Sequence, residues 1–178
     1  FKLEKLYGEI HLENALLSYT DTMPKVQNLF AYAIFDHKHF DIKVLKGTNH
    51  GLTITGGRVV IGNFDDETVM LTIDADVTGD LKQTLDLINH PPLYFAKDFA
   101  LNPERTKGDV KAHLKMSFPL LDPFETDKIS THVSATSSKT ELRELFNLPI
   151  SLKDGILTIK VDDHHLQVQG NGRVNKSP

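Results

Sequence analysis

Val69-Met70-Leu71-Thr72-Ile73-Asp74-Ala75-Asp76-Val77-Thr78-Gly79 alternates without a fault. Val69, Leu71, Ile73, Ala75 and Val77 fall on one side and Met70, Thr72, Asp74, Asp76 and Thr78 on the other, the period-two pattern of a half-buried β-strand. The residues that follow change period. Gly79 is expected to break the strand, Asp80 to cap a helix together with Gln83, and Leu81, Leu85 and Ile88 to share one helical face. That helix should end at His90, because Pro91 and Pro92 cannot continue it.

Strand patterns extend outward on both sides of this unit. Upstream, Tyr7 to Tyr19 reads as a strand with Ile10 and Leu12 on one side, a loop at Thr20 to Lys25 follows, and Leu29 to Phe35 is an aromatic, apolar run. Phe40, Ile42 and Val44 then alternate, a turn is expected at Gly47 to Gly51, Leu52 and Ile54 alternate, Gly56-Gly57 is expected to turn again, and Val59 and Ile61 resume. Downstream of a Pro-rich, aromatic link, Val110, Ala112, Leu114, Met116 and Phe118 form one face opposite Lys111, His113, Lys115 and Ser117. Ile129 to Ala135 alternates, Thr140 to Phe146 suggests a helical turn, and Ile156 to Val161 and Leu166 to Val168 read as two further strands. Residues 1–79 are thus a first β-meander block, 80–106 a helix and link, and 107–178 a second β-meander block, all within one domain.

Four glycines are followed by apolar residues at both the second and fourth positions: Gly8, Gly57, Gly108 and Gly155. They lie 49, 51 and 47 residues apart, which suggests a meander that repeats about every fifty residues with a glycine turning the chain into each strand.

Composition excludes several classes. With a net charge of −4 across 178 residues there is no basic footprint for nucleic acid, and no cysteine means no disulfide framework or thiolate chemistry. The longest apolar run, Leu29 to Phe35, is far short of the roughly 20 residues that span a bilayer. The chain begins at Phe1 with neither a charged n-region nor an apolar h-region, and it reads as an internal fragment of a longer protein.

Catalytic constellations are weak. His37 and His39 sit two apart and His164 and His165 are adjacent, but no third ligand follows at a recognisable spacing, so no metal site is expected. Asp74 and Asp76 share a face about 7 Å apart, a separation used by carboxylate pairs in glycosidases, yet Thr72 and Thr78 mark that face as solvated. Asp65 to Glu67 reads as a charged turn, and Lys107, Lys111 and Lys115 as a solvated basic stripe. No nucleophile elbow, phosphate loop or dinucleotide fingerprint occurs, and the chain is expected to be no enzyme and to carry no cofactor. The oily strand faces are what remains. They must pack against a second layer, close into a barrel, or leave a trough for a hydrophobic ligand, and few helices are on offer to cover them.

Ile73 to Gly79, Asp80-Leu81, Leu85 to Ile88, Pro91-Pro92-Leu93-Tyr94, Leu101-Asn102-Pro103, Gly108 and Phe118-Pro119-Leu120 form a distinctive succession. With Asp154-Gly155, Leu157 and Ile159, and Leu166, Val168, Gly170 and Gly172, it resembles the AsmA-like superfamily, and within it the YhdP-type domain of bacterial envelope proteins. The resemblance implies a mainly β fold: an elongated, twisted antiparallel sheet of repeated meanders that forms an apolar groove, with one or two short helices. It implies a periplasmic segment of a protein anchored in the inner membrane, which conducts phospholipid between inner and outer membrane and touches membranes only through regions outside this fragment. Other envelope proteins are possible partners; no catalytic residue is carried over. Candidate groove-lining residues are Val69, Leu71, Ile73, Val110, Leu114, Met116, Val133, Leu157, Ile159, Leu166 and Val168. The competing expectation is a structural or adaptor β-module of the envelope with a closed core and no lipid ligand.

Overall fold

A computed structural model describes residues 6–18, 23–91, 102–121, 126–143, 150–163 and 165–176. Nine strands follow one another as an uninterrupted antiparallel meander: β1 (Tyr7–Leu17), β2 (Val26–Asp36), β3 (His39–Asn49), β4 (Leu52–Gly62), β5 (Met70–Asp80), β6 (Thr106–Pro119), β7 (Ser130–Leu142), β8 (Ile150–Val161) and β9 (Leu166–Lys176). Among the described residues each strand pairs only with its sequence neighbours, so β1 and β9 form the two edges of an open sheet. The single α-helix among the described residues, α1 (Leu81–Ile88), leaves the end of β5. Two 3₁₀ turns, Pro103–Arg105 and Thr126–Lys128, precede β6 and β7. The segment between β5 and β6 does not interrupt the sheet, because the two strands pair from Met70↔Pro119 to Asp80↔Asp109.

The strands are longer than their sequence patterns suggest, and glycine is the reason. Gly56-Gly57 makes no turn: β4 passes straight through both. A bulge lies between Ile54 and Gly56, and Gly57 lets β5 approach so closely that a Cβ there would stand 2.6 Å from the Asp74 carbonyl oxygen. Gly79 likewise sits inside β5, paired with Val110, and does not break the strand. The expected turn at Gly47 to Gly51 contracts to His50-Gly51, where φ values of 48° and 82° build a two-residue hairpin. Glycine therefore marks close approach and bulges more often than chain reversal. Of the four evenly spaced glycines, Gly57 and Gly155 lie mid-strand, and the three intervals hold three, two and two strands.

Other boundaries shift as well. The helical turn expected at Thr140 to Phe146 begins as strand, since β7 runs to Leu142 with Leu142↔Leu152 as its last pair; residues 144–149 lie outside the described set. The helix stops at Ile88 with Asn89 as its C-cap, two residues before His90. Its start is as expected: the Asp80 carboxylate accepts from Lys82 N at 2.8 Å and Gln83 N at 3.3 Å.

Bulges fall in one half of the sheet, the half that carries α1. Asn14, Asn28, Lys139 and Asp154, all at positive φ, and Gly108 each stand at a register shift in β1, β2, β7, β8 and β6 respectively. Bulges bend strands and increase twist, so this line of them curls the same end of neighbouring strands. Two apolar clusters form there. One joins Leu81 and Leu85 of α1 to Val110, Ala135 and Leu142; the other joins Val26, Leu29 and Ala31, with Leu12, Ala15 and Ile54 around them.

Candidate functional site: one apolar face across nine strands

Paired residues in an antiparallel sheet share a face, so the register can be followed from edge to edge. Starting at Leu12 in β1, successive partners are Ala31, Val44, Gly57, Ala75, Leu114, Val133, Val161 and Leu166. Every one of the nine strands contributes an apolar residue or glycine to this row. At about 4.8 Å per strand, it spans roughly 38 Å.

Parallel rows flank it. Ile10, Ala33, Ile42, Val59, Ile73 and Met116 are successive partners across β1 to β6, and Phe35, Phe40, Ile61, Leu71 and Phe118 across β2 to β6. On the other side, Ile54, Val77, Ala112, Ala135, Ile159 and Val168 cross from β4 to β9. Phe35 and Phe40 stack, with centroids 5.5 Å apart.

By strand register, ten of the eleven sequence-derived lining residues fall on this face, and the eleventh, Val69, lies just before β5. Leu71, Ile73, Leu114, Met116, Val133, Ile159, Leu166 and Val168 stand in the rows just traced. Leu157 faces Ser137 and Gly170 in the next row, and Val69 precedes Leu71 by two residues, its carbonyl accepting from Leu120 N at 2.8 Å. Val110 differs in its surroundings: α1 covers it, and it is only 5% exposed, packed with Leu81 and Leu85. Most of the others are half-buried by their strand neighbours, and Val168 on the edge strand is 46% exposed. The first four strands contribute twelve of the twenty-six residues in these rows, although none of them is among the sequence-derived lining residues. Their share was visible in the alternation of Ile10 with Leu12 and of Ile42 with Val44.

The opposite face is mostly polar, with Ile34, Val60, Met70 and Ile156 among its apolar members, and several of its charges are matched across strands. Arg58 holds Asp41 through two hydrogen bonds of 2.8 and 2.5 Å, and this keeps the Asp41 carboxyl below the usual carboxylate range. Asp74 lies 3.3 Å from Lys115 Nζ, and His113 stands between the two candidate carboxylates, 3.5 Å from Asp74 and 2.9 Å from Asp76. Asp74 and Asp76 therefore meet the same imidazole, Asp74 meets Lys115 as well, and both carboxylates are engaged in cross-strand contacts on this face. In the basic stripe, Lys115 is engaged with Asp74, and Lys107 sits opposite Glu141. At the edge, Tyr7 donates to Glu9 at 2.5 Å; this lowers the Glu9 carboxyl and pushes the Tyr7 hydroxyl up to about 12.

His39 Nδ1 lies 3.0 Å from the Asp36 carboxylate in the β2–β3 turn, and His165 caps the β8–β9 turn with Asp162. His164 lies outside the described residues. Among the described residues no three His, Cys, Asp or Glu side chains are grouped to hold a metal ion, and no helix is long and apolar enough to cross a membrane.

Fold and surface together define a class: an open, single-layer β-sheet protein with one continuous apolar face and one mostly polar face. Residues 2–170 match the family model described as YhdP protein, and the chain belongs to that family. No curated protein and no solved structure matches it. Membership of the YhdP family is consistent with a lipid-transfer protein of the bacterial envelope.

Proposed function

We propose that this chain is a non-enzymatic segment of a periplasmic lipid-transfer protein, in which acyl chains lie along the apolar face and headgroups stay in water. The observation that carries this reading is the unbroken apolar row from Leu12 to Leu166 through all nine strands. Each buried methylene contributes about 0.8 kcal/mol, so an acyl chain is held by area alone and needs no polar contact. A continuous surface without a deep well also lets it move between adjacent positions. Phospholipid is the ligand, transfer runs between inner and outer membrane, and anchoring to the inner membrane comes from sequence beyond this segment.

A sealed envelope adaptor would need a second layer over that face, and among the described residues only α1 lies on it, at one end of β5 and β6. Native mass spectrometry with lipid extraction tests the reading. Phospholipid should travel with the purified chain, and a photoreactive side chain at Leu71 or Leu114 should crosslink to it. A lipid-free chain that also fails to crosslink from either position would reject lipid transfer.

A further inference from the structure

The β3–β4 turn and the end of α1 meet at a place that the apolar face does not use. His50 in the turn and His90 just beyond the helix pack edge to face, with ring centroids 5.1 Å apart. They share a concavity of about 380 Å³ with Asp86, Asn89 and Pro91.

Three features there suit a cation. First, His90 Nδ1 lies 2.8 Å from the Asp86 backbone carbonyl oxygen. A carbonyl only accepts, so Nδ1 carries the proton and Nε2 of the neutral ring keeps its lone pair. Histidines that ligate metals are oriented by this same bond from the non-ligating nitrogen. Second, Asn89 lines the same concavity, and its Oδ1 is buried with no hydrogen-bond partner among the described residues. Third, the C-terminal end of α1 places its carbonyl groups and the negative end of its dipole here, while the nearby Lys82 Nζ is held by Asp86 and Glu104, both at 2.8 Å.

Ring spacing is compatible with shared ligation: the 5.1 Å edge-to-face separation is close to the roughly 5.2 Å between centroids of two imidazoles bound through nitrogen at about 2.0–2.1 Å to one tetrahedral metal. We propose that His50 and His90 form a two-histidine site for a divalent transition metal, completed by Asn89 Oδ1 and water. Bound metal would tie the β3–β4 turn to the end of α1, where Gln83 already packs against Gly51. The site stands apart from the lipid reading and would survive its failure.

The test is titration of the tag-free chain with Zn²⁺ by calorimetry and with Co²⁺ by visible absorption. One saturable equivalent is expected. His90→Ala should weaken it by at least tenfold, as should His50→Asn, chosen because asparagine tolerates the positive φ at that position. A His37→Ala/His39→Ala double variant should bind as wild type does, Cu²⁺ should show two nitrogen ligands by electron paramagnetic resonance, and affinity should fall in acid, where protons compete with the metal for the ring nitrogens. No saturable binding, or wild-type affinity in a His50→Asn variant with unchanged circular dichroism, would overturn the proposal.

Discussion

At the scale of single residues, the chain uses small polar and glycine positions to shape strands and charged pairs to mark the wet face. Asn14, Asn28 and Asp154 take positive φ at bulges, a conformation their short side chains tolerate better than most. Asp41 and Arg58 show what the polar face contributes. Asp41's carboxyl is depressed in the folded state by Arg58, so the pair's stabilisation is fully present above the unfolded value of about 3.9 and is lost as pH falls through the folded value. Arg58→Gln should therefore raise the Asp41 titration midpoint in an NMR pH series and flatten the acid limb of the stability curve. An unchanged midpoint would show that the guanidinium does not set it.

At the scale of elements, α1 is legible almost in full. Asp80, Gln83, Leu81 and Leu85 announce its start and its apolar stripe, because capping and helical periodicity are local properties. What the stripe covers is not local. Leu85, 5% exposed, packs with Val110, Ala135 and Leu142, residues that lie 25 to 57 positions away. Leu85→Ala should cost about 2–5 kcal/mol in urea unfolding, since the cavity it leaves lies between helix and sheet and neither can collapse freely. The strands were less legible than the helix. Alternation located most of them, β2 showed only as the aromatic, apolar run Leu29 to Phe35, and Gly56, Gly57 and Gly79 read as stops. Whether a glycine ends a strand or admits a neighbouring backbone depends on the strand that lies beside it.

At the scale of the whole molecule, the two faces differ in most strands, and the substitution that matters is a charge in the middle of the apolar row. Leu114→Asp should keep the β-sheet spectrum while removing most of the co-purifying phospholipid, because a carboxylate on that row breaks the path at the fifth of its eight strand-to-strand steps. Lys115→Ala, one residue on and facing the other way, should retain the lipid. Equal retention in both variants would mean that the apolar face is not where lipid sits.

The chain's own sequence determined that it would be β-rich, that most strands would have one oily and one wet side, and that a short capped helix would divide the run, because alternation, capping and proline act over a few residues. Only the tertiary structure decided that those oily sides join. The register of eight successive strand pairs puts Leu12 and Leu166 in one row, and a slip of a single residue at any pair would have turned part of it to the other face. That register is set by bulges and close backbone approach between strands distant in sequence, so no single stretch of the chain contains it.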